Sequence, residues 1–190
     1  MGRVLRFMVL CGALVLLSDV ALAGQSASLD CVQWGGGDNP ECVTYELKVT
    51  ITSDSDVGRP GAFGIGAQIS DGKMGFWTVA NGWQSMMGGL VPPVDGYYQA
   101  LPASRSYLVY RGPYSGLCSL SGLQPFDLYA AHGALSPANE HTVSQIISSG
   151  SNLPADHIRS MFIQMDVFKG AANGAVKGGL VYSLRNCGGA

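Results

Sequence analysis

Strict alternation of apolar and polar residues is the main pattern along this chain. It is clearest over Val43–Thr52, where Val, Tyr, Leu, Val and Ile alternate with polar residues, and it repeats over Phe63–Ser70. A period of two puts alternate side chains on opposite faces of a strand, so both segments predict half-buried β-strands. Further predicted strands are Gly75–Val79, Ser106–Tyr110, Phe126–Ala130, Met161–Phe168 and Gly179–Arg185.

Turn-forming residues separate these segments. Asp71-Gly72 and Asn81-Gly82 each lie between apolar runs, as the tight turns of β-hairpins do. Other turn signals are Ser53–Asp56, Arg59–Gly61, Pro92-Pro93, Asp95-Gly96 and Asn173-Gly174. The chain is therefore expected to double back many times.

One helix interrupts the strands. Ser136 followed by Pro137 predicts an N-cap with proline at the first helical position, and Glu140 lies in the first turn, where the helix dipole favours an acid. Gly150 ends the segment. One apolar stripe at helical spacing consists of Val143, Ile146 and Ile147, and Pro154–Arg159 predicts a second short turn of helix.

These elements predict a mainly β fold, an antiparallel two-sheet sandwich with one short inserted α-helix and disulfide staples. Neither an internal repeat nor a low-complexity linker interrupts the sequence. We therefore expect a single domain over residues 24–190.

Residues 1–23 have the composition of a secretory signal peptide. Arg3 and Arg6 are followed by the apolar run Phe7–Leu17, which is too short to span a bilayer, and Ala21–Ala23 is a small-x-small cleavage site. Cleavage near Ala23 predicts a secreted, periplasmic or cell-surface protein. The remaining sequence has no apolar stretch long enough for an integral membrane anchor.

Four cysteines follow the leader, which is consistent with an oxidising compartment. Four cysteines permit 3 pairings. We expect Cys31–Cys42, which closes a short loop rich in Gly, Asn and Pro, and Cys118–Cys187, which ties the last strand to the middle of the domain. Zinc binding is disfavoured, because the chain has no Cys-x-x-Cys pair.

The charge of the chain is low and slightly negative. Removal of the leader with Arg3, Arg6 and Asp19 leaves 9 basic and 12 acidic residues, a net charge of about −3. Such a chain offers no basic surface for nucleic acid. Charged residues are only 13% of the sequence and glycines number 27, which is typical of an extracellular β-domain.

The sequence gives little indication of catalysis. It has no nucleophile elbow, zinc-protease motif, phosphate-binding loop or dinucleotide fingerprint. His141 and His157 are expected on the surface, whereas His132 follows a predicted strand. A triad with His132 would draw on Ser119, Ser121 and Asp127, but serine is too common here for that match to carry weight. We expect a non-enzymatic protein without a cofactor.

A short acidic loop raises the question of calcium. Asp54, Asp56 and Asp71 supply carboxylates, but the loop lacks the third ligand position and the distal Glu of an EF-hand. Asp side chains also cap turns without a metal. A solvated turn is the favoured interpretation, and no metal site is predicted.

Aromatic residues form the strongest cluster in the sequence. Eight of the 17 aromatic residues fall within 39 positions, between Phe76 and Tyr114. Exposed rings would form a recognition surface for sugar or protein, whereas buried rings would belong to the core. Both alternatives stay open, with Trp83 as the expected exposed anchor. The candidate binding residues are Trp77, Trp83, Tyr97, Tyr98, Tyr110 and Tyr114.

The order of several motifs resembles a β-rich module of bacterial secreted, surface-attached and pilus-associated proteins. Gly75–Trp77 and Asn81–Trp83 correspond to its Trp-containing hairpin, and Phe126–Gly133 to its Tyr- and Gly-containing strand, with Ala131 and His132 in place of Gly and Tyr. The similarity covers Ile65–Ile147. It implies a non-catalytic accessory or adhesion domain and assigns no site residues.

Two classes of function follow as expectations. The first is a binding or adhesion module of the bacterial cell surface or a pilus, which recognises protein or glycan through the aromatic region. The alternative is a self-assembling, pilin-like structural subunit that exchanges strands. Gly24–Asp30 is short for a donor strand, and the end of the chain around Cys187 does not suit a chaperone groove. A secreted hydrolase is the least favoured.

Overall fold

The computed structural model describes residues 24–37, 40–69, 72–85, 92–120, 125–155, 157–159, 161–163, 165 and 176–185. The strands are β1 (Gln25–Trp34), β2 (Cys42–Thr52), β3 (Gly61–Ile69), β4 (Met74–Thr78), β5 (Gly82–Ser85), β6 (Tyr97–Tyr98), β7 (Ser104–Gly112), β8 (Phe126–Ala134) and β9 (Val176–Leu184). Among the described residues, α1 (Tyr114–Ser119) and α2 (Pro137–Ser148) are helices, a 3₁₀ turn covers Asp54–Asp56, and positions 155, 157–159, 161–163 and 165 are also helical.

The strands form two antiparallel sheets. The smaller sheet has the order β1-β2-β7, and the larger has the order β5-β4-β3-β8-β9, with β6 pairing beside the start of β3. The predicted mainly β fold, a two-sheet antiparallel sandwich, is confirmed. Both predicted hairpins are also present, because β3–β4 and β4–β5 are antiparallel neighbours; Asp71 of the first turn lies outside the described residues.

The core lies between the sheets and uses the residues that the alternation predicted. Leu47, Val49 and Ile51 of β2 are fully buried, as is Ile65 of β3. Full burial of such a side chain stabilises the fold by about 1.5–3 kcal/mol. The two segments with the strictest alternation therefore contribute one inner face each.

A second apolar cluster involves α2. Val143 of α2 packs with Ala62 of β3, which alternates with the core residue Phe63 and so points to the opposite face of the sheet. Ser136 caps α2 by accepting a hydrogen bond from the backbone N–H of Asn139, as predicted.

The predicted strand Met161–Phe168 is wrong in the part that the structure describes. Positions 161–163 and 165 are helical, as are 155 and 157–159. Ile158 and Ile163 are buried against α2, and Phe162 is partly buried there. Ile158 and Phe162 are four residues apart, a spacing that places both side chains on one face of a helix. The apolar run that predicted a buried strand therefore belongs to a buried helical segment.

The disulfide Cys31–Cys42 is confirmed and joins the end of β1 to the start of β2, with a Cα–Cα distance of 5.8 Å. Cys118 is buried and also disulfide-bonded. Cys187 lies outside the described residues, so the pairing Cys118–Cys187 stays a prediction. The leader, residues 1–23, lies outside them too. In the described part of the chain, no helix is long and apolar enough to cross a membrane.

Candidate functional site

A groove of about 480 Å³ opens on the larger sheet near the β3–β4 hairpin. Strands β3, β4 and β5 supply most of its surface. Leu120, directly after α1, and Phe126, at the start of β8, complete it. The full lining is Ala67, Ile69, Gly72, Lys73, Met74, Gly75, Trp83, Gln84, Ser85, Leu120 and Phe126. Its size is that of ordinary ligand sites, and most of these side chains are apolar or small.

A row of small residues creates the groove. Ala67, Gly75 and Ser85 are direct cross-strand neighbours on β3, β4 and β5, so their Cβ positions share one face. Two residues further along the strands, the same face carries the large pair Trp77 and Trp83. The groove lies where the small side chains of this row follow the large rings of Trp77 and Trp83.

Trp83 forms one wall of the groove and is half-buried. Its indole N–H donates a hydrogen bond to the backbone carbonyl of Val109 on β7, at 3.1 Å, and the ring packs against the main core. The expectation of a freely exposed Trp83 is therefore wrong. The residue has a structural role, and only one part of the ring borders the groove.

The other predicted binding aromatics do not join Trp83 at the groove. Trp77 is half-buried and contacts Tyr107 edge-to-face, with ring centroids 6.0 Å apart. The hydroxyl of Tyr98 donates to Asp95, and the hydroxyl of Tyr107 donates to the same carboxylate oxygen at 2.9 Å. Burial and these neighbours raise the pKa of Tyr107.

Three further members of the predicted set are also partly buried. The hydroxyl of Tyr110 donates to the carbonyl of Pro113 at 2.6 Å. Tyr114 contacts Tyr45 edge-to-face at 5.6 Å, and Tyr97 packs on the second cluster beside α2. Much of the aromatic stretch thus packs against the interior of the protein.

Trp34 is an exposed aromatic residue that the sequence analysis missed. Its exposed fraction is 63%, and Val32 and Val43 beside it are 41% and 43% exposed. All three lie at the disulfide-linked end of the β1–β2 hairpin. The signal in the sequence was its position directly before Gly35–Gly37, where a strand gives way to a turn.

The triad suggested by the sequence is not assembled. Asp127 and His132 are five residues apart on β8 and so point to opposite faces. Asp127 instead accepts hydrogen bonds from Ser183 and Arg185, both at 2.6 Å. The hydroxyl of Ser119 bonds its own helix at Ser115, and Ser121 lies outside the described residues.

His132 instead belongs to a buried polar cluster. Its Nε2 lies 3.2 Å from Oδ2 of Asp56, and its Nδ1 lies 3.3 Å from Nε2 of Gln25. Asp56 also pairs with Arg59 at 2.8 Å and Lys177 at 3.0 Å. The cluster joins β1, the 3₁₀ turn, β8 and β9 at one side of the sandwich.

The cluster perturbs both titratable groups at its centre. Burial alone would raise the pKa of Asp56, but hydrogen bonds from Lys177, Arg59 and His132 outweigh it and lower that pKa. For His132, burial lowers the pKa despite the opposing effect of Asp56. The carboxylate is therefore charged and the imidazole neutral at pH 7.

The acidic loop is occupied by protein contacts. Asp56 forms ion pairs with Arg59 and Lys177. Asp54 accepts a hydrogen bond from the Thr52 hydroxyl at 3.0 Å. Asp71 lies outside the described residues. Among the residues that are described, no group of three or more His, Cys, Asp or Glu side chains is arranged to hold a metal ion.

Comparisons with known proteins give no match, since no family model, curated protein or solved structure matches this chain. The resemblance to surface-attached bacterial modules therefore stays a prediction. The functional argument depends on the groove and its side chains.

Proposed function

We propose that this chain is an exported, non-enzymatic binding module that holds an apolar segment of a partner protein in the groove beside Trp83. The observation that carries the proposal is the row of small residues, Ala67, Gly75 and Ser85, next to a large aromatic wall. Interfaces gain most of their affinity where apolar side chains fill such pockets. The leader sequence and the Cys31–Cys42 disulfide support export.

A protein partner is favoured over a glycan by the hydrogen bonds of the aromatic residues. Sugars are bound by rings whose polar tips and neighbours offer free donors and acceptors. Here Trp83 borders the groove, and its indole N–H is already bonded to the backbone carbonyl of Val109. The groove is therefore better suited to aliphatic or aromatic side chains.

The position of β5 suggests how a partner would approach. Among the described strands, β5 pairs only with β4 and ends the larger sheet. Alternate residues of such a strand direct their N–H and C=O groups away from the sheet. An extended segment could bond to these groups and insert alternate side chains into the groove.

The test uses the dye 1-anilinonaphthalene-8-sulfonate and an array of extended apolar peptides. Ser85→Phe places a large ring in the groove, at the exposed end of the row of small residues. Ser144→Phe, at an exposed position of α2, is the matched control. We expect the dye and the peptides to compete for the native protein. Both should bind Ser85→Phe at least about fivefold more weakly, which corresponds to roughly 1 kcal/mol. Unchanged binding to Ser85→Phe, or binding of glycans instead of peptides, would overturn the proposal.

Self-assembly is the second candidate, and the unpaired edge of β5 is the observation that favours it. In that case the segment on β5 would come from another copy of this chain. Light scattering across a wide concentration range separates the two. A monomer at all concentrations supports the binding module, and concentration-dependent polymers support the structural subunit.

A further inference from the structure

His132 is 1% exposed and connects the first residue of β1 with the centre of the buried polar cluster. Gln25 approaches one ring nitrogen and Asp56 approaches the other, at 3.3 Å and 3.2 Å. A neutral imidazole has one donor and one acceptor nitrogen. The ring can therefore serve both neighbours only in one of its two tautomers.

The backbone of Thr52 determines the tautomer. Oε1 of Gln25 accepts a hydrogen bond from the N–H of Thr52 at 3.3 Å, while its Nε2 donates to the carbonyl of Thr52 at 3.2 Å. The same Nε2 lies 3.4 Å from the carbonyl of Lys177. A reversed amide would direct its oxygen at two carbonyl oxygens. Nδ1 of His132 therefore faces a donor and carries no proton, and Nε2–H donates to Asp56.

The charged groups around His132 come from three elements and one loop. The 3₁₀ turn supplies Asp54 and Asp56, and β9 supplies Lys177. Arg59, which follows the turn, pairs with Asp56 and also with Glu140 of α2 at 3.5 Å. Asp56 already has two cationic partners, so a proton on His132 would add a third positive charge to one buried carboxylate.

We propose that His132 is an acid-sensitive latch for the start of β1. In its neutral form the ring holds Gln25 and thereby fixes the first residues of β1 against β8 and β9. A proton on Nδ1 would face the N–H of Gln25, so the two groups would repel one another. Gln25 and the residues after it then separate from β2 more readily, as far as Cys31, where the disulfide to Cys42 keeps the strand in place.

The surroundings of the ring determine that the latch opens in acid and not in base. Burial lowers the pKa of His132 below its ordinary value, so the ring is neutral at pH 7 and takes up a proton only in acid. Gly24 stabilises the closed state as well, because its carbonyl accepts from the N–H of Thr52 at 2.7 Å. The amide of Thr52 therefore loses two acceptors when the latch opens.

The test is residue-resolved hydrogen exchange at about pH 7.5 and pH 5, corrected for the intrinsic rate. In the native sequence we expect Thr52 and residues 25–30 to open about tenfold more readily at pH 5, while β3 and β8 stay protected. His132→Gln does not titrate and should show equal opening at both pH values. His141→Gln, at an exposed histidine of α2, should behave like the native sequence.

Three outcomes would overturn the proposal. They are equal pH dependence in His132→Gln, no faster opening at pH 5, and opening of β1 together with β3 and β8. If His132→Gln does not fold, the ¹⁵N spectrum of the native histidines decides instead. A proton on Nε2 of His132 at neutral pH supports the latch, and a proton on Nδ1 overturns it.

Discussion

The indole N–H of Trp83 donates a hydrogen bond of 3.1 Å to the backbone carbonyl of Val109, which connects edge strand β5 of the larger sheet with edge strand β7 of the smaller sheet. The same ring packs on the core and borders the groove. A substitution of Trp83 therefore changes stability and the groove together. The two effects have to be separated before a loss of binding is interpreted.

Trp83→Phe should lower the free energy of unfolding by about 1–2 kcal/mol, because the ring packing largely remains while the bond to Val109 is lost. Urea unfolding followed by circular dichroism measures the change. Trp34→Phe is the matched control, since Trp34 is 63% exposed, and should stay within about 0.5 kcal/mol of the native protein. Equal losses in the two variants would contradict the structural role of Trp83.

Arg59→Gln should destabilise the protein by about 2–3 kcal/mol, because Asp56 is 5% exposed and loses one of its cations. Arg59 also donates to the carbonyl of Leu135. Arg185→Gln removes an ion pair to Asp127 at an arginine that is 59% exposed, and should cost less than about 1 kcal/mol. Thermal unfolding of both variants at neutral pH tests this order, and the reverse order would refute it.

Stability should decrease as the pH falls below about 6.5, the ordinary pKa of histidine. The fold lowers the pKa of His132, so the neutral ring's contribution is complete above that pH and is lost during acidification. Asp56 adds a second loss below its ordinary pKa of 3.8, because its folded pKa is lower still. Melting temperatures between pH 8 and pH 3 report both losses.

The variant His132→Gln separates the two parts of this pH profile. It should flatten the curve just below pH 6.5 and leave the loss at lower pH in place, because Asp56 keeps Arg59 and Lys177. A native protein that is equally stable at pH 7.5 and pH 5 would show that His132 does not contribute in this way.

Removal of the Cys31–Cys42 disulfide should cost about 3 kcal/mol, because the bridge closes a short loop with a sequence separation of 11. The double variant Cys31→Ser/Cys42→Ser avoids a free thiol, and urea unfolding gives the difference. Equal stability with and without the bridge would mean that the hydrogen bonds of the β1–β2 hairpin already fix the loop in the unfolded chain.

Regular alternation made the inner strands predictable. Val43–Thr52 and Phe63–Ser70 correspond closely to β2 and β3, and the cap at Ser136 predicted the start of α2. Such signals are local, since a period of two or a capping serine is decided by neighbours in sequence. β1 carried the same signal, with Ala27 and Leu29 between polar residues, but its exposed end around Trp34 breaks the period.

Other features depended on contacts between distant residues. The short helix α1 contains Gly116 and has no apolar stripe long enough to predict it. Nothing near His132 in sequence indicates that Asp56, 76 residues away, is its partner. The groove likewise arises from Ala67, Gly75 and Ser85, which only strand pairing brings into one row. The register of three strands is therefore what the sequence alone left undetermined.

The bridge between Cys31 and Cys42 limits how this molecule can exchange segments with another copy of itself. Domain swapping requires a segment to leave its own chain and take the same position in a second one. While the bridge is intact, β1 cannot leave β2 as a whole, so only the residues that precede Cys31 are free to move between copies. In a reducing environment all ten residues of β1 would be available for exchange, so the redox state of the surroundings would set how much of β1 can be exchanged.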